Sequence, residues 1–165
     1  MKSALDAVFK DTGRKSEDYL NFIRLDPMYR LVFEEGKTHI DCHDLEHVNK
    51  MESELLRVFG SKAVDGFKQW LQFERRRYPH AIKLLQKIYS SHLDIINWDA
   101  IKSLPTIGLH KSMIKFMQQY YENPLNQISF SYQSKYLGMS PWQTPSTYGL
   151  VPYAEYSFGL YHVEG

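Results

Sequence analysis

Apolar residues recur at helical spacing along most of the chain, and the exceptions fall in two short stretches. Leu5, Val8 and Phe9 stand at i, i+3 and i+4 and predict a short opening helix that breaks at Asp11-Thr12-Gly13. Ser16-Glu17-Asp18 offers a cap for a second helical turn through Tyr19, Leu20 and Ile23, closed by Pro27. From Tyr29 the period drops to two. Tyr29, Leu31 and Phe33 alternate with Arg30 and Val32, Glu34-Glu35-Gly36-Lys37 supplies turn chemistry, and Thr38 to Cys42 alternates again. Two such runs around a glycine-containing loop predict a β-hairpin.

Helical spacing returns after His43-Asp44. Val48, Met51, Leu55, Val58 and Phe59 make one face, with Gly60 placed to end it. Ser61 restarts a helix whose apolar face is Val64, Phe67, Trp70 and Leu71; Pro79 predicts a kink or a split before Ile82, Leu85, Ile88 and Tyr89. Asn97 to Pro105 reads as a break with a short helix. Ser112 to Tyr121 reads as an amphipathic helix with Met113, Phe116, Met117 and Tyr120 inward, ended by Glu122-Asn123-Pro124. Ile128 to Leu137 is an aromatic-rich helix stopped by Gly138, and a loop from Met139 to Ser146 leads to a short helix around Tyr148 to Glu155. Phe158 to Val163 is strand-like. The fold class is α+β: mostly helical, with a short β-hairpin and a C-terminal strand. The hairpin and the last strand pair with each other or with strands outside this chain, because a lone two-stranded hairpin is marginal in water.

The 165 residues fit one domain spanning 1–165, and no apolar run reaches the length of about 20 residues needed for a membrane-spanning helix. A formal net charge of +1 excludes a broad electrostatic grip on nucleic acid. The single cysteine, Cys42, excludes an internal disulfide. His39, His43 and His47 share helical spacing, but His39 falls in a strand-like run, so no metal site is expected. Arg75-Arg76-Arg77 reads as a solvated face or as a match for partner acids. Pattern alone makes Asn97 or Asp99 a helix N-cap and Lys102 solvated. No Gly-x-Ser-x-Gly, Gly-x-Gly-x-x-Gly or phosphate-loop pattern occurs. Eleven of the 24 aromatics crowd into the last 46 positions, under a third of the chain. Such a concentration reads either as a core with tyrosines at its rim or as a wall for a long apolar ligand or partner domain.

An ordered series of short motifs carries a family resemblance. Asp26-Pro27-Met28-Tyr29-Arg30-Leu31 opens the hairpin whose turn is Glu35-Gly36-Lys37. Phe59-Gly60 and Val64-Asp65-Gly66-Phe67 follow. Then come Leu125-Asn126-Gln127-Ile128-Ser129-Phe130-Ser131-Tyr132-Gln133-Ser134 and Leu137-Gly138-Met139-Ser140-Pro141. Last are Thr147-Tyr148-Gly149-Leu150 and the run from Phe158 to Gly165. In this order and spacing the chain resembles the bacterial-type carotenoid desaturases, the phytoene and dehydrosqualene desaturases. His162-Val163-Glu164 stands where the family has an aromatic-Pro-basic triplet, and the family's flavin-binding signatures are not in the chain. It looks like the central, substrate-side region inserted into a flavin-binding Rossmann domain of the flavin amine-oxidase-like, FAD-dependent desaturase fold.

The resemblance implies FAD-dependent desaturation of a long polyene, in which a hydride leaves one carbon for the flavin and a proton leaves its neighbour. It implies a substrate wall from Phe130, Tyr132, Tyr136, Trp142, Tyr148, Tyr153 and Tyr161. It gives Asp99, with Lys102 beside it, a part in proton transfer, and sets Gly165 at the edge of the flavin domain. The implied partners are the polyene, the FAD-binding segments and a membrane surface met peripherally from the cytoplasm, with Leu84 to Ile107 and Met113 to Tyr121 as the apolar patch. A carotenoid oxidase, an isomerase or a retinoid saturase would share this region. A stand-alone, non-enzymatic helical binding domain is the rival of another class. The chain purified alone is expected to be colourless and inactive, and a stoichiometric yellow flavin in its absorption spectrum would overturn that expectation.

Overall fold

The computed structural model describes residues 2–34, 37–85, 108 and 110–164. Ile88, Tyr89, the stretch from Asn97 to Pro105 with Asp99 and Lys102, and Gly165 lie outside the described residues. The elements in chain order are α1 (Lys2–Asp11), a 3-10 turn Ser16–Asp18, β1 (Asn21–Arg24), β2 (Tyr29–Phe33), β3 (Thr38–Cys42) and a 3-10 turn Leu45–His47. Next come α2 (Val48–Phe59), α3 (Ser61–Leu85), α4 (Met113–Met117) and α5 (Pro124–Ser129). The 3-10 turns Tyr132–Leu137 and Ser146–Gly149, α6 (Leu150–Phe158) and β4 (Tyr161–Glu164) complete the described set. This is the α+β, mostly helical class with short antiparallel strands. The chain divides into two compact units, residues 1–54 with 154–165, and residues 55–153.

In the first unit the hairpin forms in the register its alternation requires. Tyr29 lies opposite Cys42 and Phe33 opposite Thr38. Ile40 and Cys42 are fully buried while Val32 faces outward, so the two-residue period sorts core from solvent. Two expectations are corrected here. Asn21 to Arg24 is a strand, not a helical turn, and the C-terminal strand pairs with it, not with the hairpin: Asn21 lies opposite Glu164 and Arg24 opposite Tyr161. Phe22 and Ile23 carry strand propensity, and β4 satisfies their backbone groups across the sheet. Side chains reinforce the pairing, with Phe22 edge-on to Tyr161 at 6.5 Å and Asn21 Nδ2 donating to Glu164 at 2.6 Å.

The second unit is organised along α3. Its buried stripe is Ala63, Phe67, Trp70, Glu74, Arg77 and Ala81, spaced three and four residues apart. Pro79 lies inside the helix without ending it. The proline removes the bond to the carbonyl of Arg75, and exposed Arg75 leaves that carbonyl open to water. Phe67, Trp70 and Phe130 form a triangle with ring centroids 5.3 to 6.0 Å apart, and Tyr121 stacks on Phe130 at 4.9 Å. α4 buries Met113, Ile114, Phe116 and Met117, and Ser112 caps it through the amide of Lys115. It is shorter than the spacing predicted, because Gln119 and Tyr120 bond three residues back instead of four. The expected helix from Ile128 to Leu137 also divides, into the end of α5 and a 3-10 turn closed by Gly138 at φ +66°. The hydroxyls of Ser129 and Ser131 donate to carbonyls four residues back, a competition that bends helices at such positions.

At Gly66 a Cβ would lie 2.1 Å from the carbonyl oxygen of Tyr120, so α3 meets the 118–121 backbone directly. Gly66→Ala is expected to lower stability in urea unfolding by about 1–3 kcal/mol. Lys62→Ala, which removes only an exposed pair with Glu122, should change it by less than about 1 kcal/mol. An unchanged midpoint for Gly66→Ala would contradict the close approach.

Candidate functional site

The predicted aromatic wall separates by burial. Phe130 is fully buried and occupied by its contacts with Phe67, Trp70 and Tyr121, and Tyr153 is 8% exposed and packed on Tyr78 at 5.3 Å. Both are packed in the second unit, Phe130 among three aromatic rings and Tyr153 against one. Tyr132 and Tyr148 are half-buried, whereas Tyr136 and Trp142 are 53% and 61% exposed, with Leu137 and Met139 between them. Lys135 Nζ lies 4.7 Å from the Tyr132 ring and 5.9 Å from the Tyr136 ring. Tyr161 belongs to the first unit, half-buried under the Arg24 guanidinium at 5.8 Å. The apolar face of α4 is buried, so the Met113–Tyr121 segment supplies no exposed membrane patch.

The second unit also holds a buried ion pair that the sequence reading missed. Arg77 belongs to the triplet read as solvated, yet it is 4% exposed and Glu74 is fully buried. Arg77 Nε and Nη2 donate to the two carboxylate oxygens of Glu74 at 2.9 and 2.5 Å, and Nη2 also donates to the Ser146 carbonyl at 3.2 Å. The guanidinium sits 5.4 Å from the Phe73 ring and 5.2 Å from the Phe116 ring. The signal was present in the sequence: positions 74 and 77 continue the three-and-four spacing set by Phe67 and Trp70.

The connection from Pro141 to Gly149 is built onto this pair. Met113 and Ile114 donate their amides to the Thr144 and Pro141 carbonyls, and Ser146 donates to Lys111. Thr144 and Ser146 are buried while Trp142 points to solvent, so the backbone is fixed and the indole displayed. Such a surface offers apolar and π contact, with the Lys135 ammonium as the charged group at its tyrosines.

The other chemistry-bearing residues are structural. In the first unit Asp26 binds His43 and Lys50, and together these hold its carboxyl down to about 2, Lys50 foremost. Asp44 binds Arg24 and lies 3.1 Å from His47. His39 stands in β3, so the three histidines do not share a helix face. Burial pushes the Cys42 thiol up to about 12, which removes it as a nucleophile. A cleft of about 470 Å³ in the second unit, among Lys62, Gly66, Gln69, Gln119 and Asn126, is lined half by polar groups and by none of the seven predicted substrate residues. The described residues do not fit a flavin: both sheets are antiparallel pairs, and none of these strands feeds a glycine-rich turn into a helix. Among them no helix is long and apolar enough to cross a membrane.

No protein-family model matches the chain. It is 39% identical over its whole length to a 4,4'-diapophytoene desaturase (4,4'-diapolycopene-forming) of Methylomonas sp, covering 31% of that protein. It is 29% identical to an all-trans-zeta-carotene desaturase of Myxococcus xanthus, covering 30% of it, and 25% identical to a 4,4'-diapolycopene oxygenase of Methylomonas sp, covering 33%. The resemblance to carotenoid desaturases read from the short motifs therefore holds along all 165 residues, and the chain spans about a third of the length of these relatives.

Burial pushes the Glu74 carboxyl up to about 7 against the pull of Arg77. A raised carboxyl stabilises the fold fully below its unfolded value of about 4.5, and that contribution is lost as pH rises through about 7. The thermal midpoint should therefore fall between pH 5 and 7.5 (roughly the interval bracketing those values), and Glu74→Gln should flatten this slope whatever it does to absolute stability. An equal slope in the variant would contradict the assignment.

Proposed function

We propose that the chain forms the polyene-binding part of an FAD-dependent carotenoid desaturase with a flavin amine-oxidase-like fold. The similarity to such enzymes over the whole chain carries the reading. In this reading Tyr132, Tyr136, Trp142 and Tyr148 form an aromatic wall along which a C30 or C40 hydrocarbon lies, and the flavin is held by sequence outside the described residues. Desaturation removes two hydrogens from adjacent carbons. The task of these residues is to orient the chain and keep water away, since a hydrocarbon offers no group for hydrogen-bonded recognition. Asp99, with Lys102 beside it, takes the proton. The substrate partitions into lipid, so the enzyme works from a membrane surface as a peripheral protein.

The test is expression of the complete reading frame carrying this chain in a host that accumulates 4,4'-diapophytoene or phytoene. Products losing two hydrogens per step, with absorption moving to longer wavelength, are expected. The similarity to an oxygenase supports a second reading, in which the products gain oxygen at a terminal carbon. Unchanged substrate would sink both. Asp99→Asn should reduce conversion at least about tenfold, as loss of a general base does, and undiminished conversion would remove Asp99 from the mechanism.

A further inference from the structure

Replacing a buried ion pair by apolar groups of similar volume is often neutral or stabilising, so stability alone does not account for Glu74 and Arg77. Their partners suggest another reason. Arg77 spends two donors on Glu74 and directs Nη2 also at the Ser146 carbonyl, and Ser146 Oγ in turn donates to the Gly108 carbonyl at 2.6 Å. At Gly149 a Cβ would lie 3.0 Å from Glu74 Oε1 and 3.2 Å from Arg77 Nη2, so the backbone there rests directly on the pair. Both ends of the Ser146–Gly149 turn are thereby set by one guanidinium and one carboxylate. Trp142, four residues before the turn, is 61% exposed, and Tyr148 lies within it.

We infer that Glu74 and Arg77 are positioning residues that fix the Pro141–Gly149 connection, and through it the presentation of Trp142 and Tyr148 to a long apolar ligand. The ligand class rests on the polyene reading above. A hydrocarbon site has no hydrogen bonds with which to pull a loop into place, so the loop must be set before the ligand arrives. A guanidinium suits this task. Its planar fork engages both carboxylate oxygens and keeps a direction for the carbonyl, whereas an ammonium at the same place is a single point charge.

The test uses the protein from the complete reading frame with 4,4'-diapophytoene in phosphatidylcholine vesicles. Arg77→Lys and the volume-matched neutral pair Glu74→Leu/Arg77→Met are each combined with Trp142→Ala. Arg77→Lys and the neutral pair should raise KM roughly tenfold with kcat changed much less, and Trp142→Ala should add little on top, the non-additivity expected of groups acting through one contact. Hydrogen exchange at the Ser146 amide should quicken in both variants while α3 stays protected, and this readout does not depend on activity. An unchanged KM, additive effects of Trp142→Ala, or unchanged Ser146 exchange would overturn the positioning role. An inactive parent with quickened exchange in the variants would instead refute the polyene reading and leave the clamp standing.

Discussion

The bidentate contact between Glu74 and Arg77 is the constraint on which the Ser146–Gly149 turn of the second unit rests. Burying two charges costs several kcal/mol each unless geometry returns it, and here both carboxylate oxygens, a main-chain carbonyl and two aromatic faces satisfy the pair. The pair lies in the stripe of α3 that otherwise carries Phe67 and Trp70, so it is held by the same packing that makes the core. Exposed Trp142 and half-buried Tyr148 are therefore carried by a connection whose backbone is anchored at Pro141, Thr144 and Ser146. Disorder at such a surface would weaken capture of a ligand that offers only dispersion and hydrophobic contact.

How much of this was legible depended on whether the deciding partner was near in sequence. The hairpin was readable because its alternation and its turn lie within fourteen residues, from Tyr29 to Cys42. β1 was not, because Asn21 pairs with Glu164, 143 positions away, and a four-residue run with one aromatic and one β-branched residue has no period of its own. Glu74 and Arg77 were written in the helical spacing but masked by their residue type, since charges beside Arg75 and Arg76 look like a solvated face. Phe130 and Trp142 show the converse limit: both are aromatics in the same segment, and only tertiary contacts make one core and the other surface. The family resemblance survived all of these local errors because it rested on the order of motifs and not on the state of any one of them.

The same division separates what this chain can supply from what it cannot. Several polar groups serve the structure: Cys42 is held as an inert thiol, Asp26 and Asp44 are committed to cations, and a cleft of the second unit is lined by carboxamides and an ion pair. The large apolar side chains facing outward in one stretch are Tyr136, Leu137, Met139 and Trp142, interleaved with exposed Lys135, Ser140 and Gln143. That inventory supports the proposed role in orienting a hydrocarbon.

Cross-linking tests the central claim most directly. A diazirine-bearing C30 polyene, photolysed with the protein from the complete reading frame, should label peptides containing Tyr132 to Tyr148, with Trp142 prominent among the modified residues. Labelling that avoids this stretch and falls instead on other parts of the chain would contradict the account.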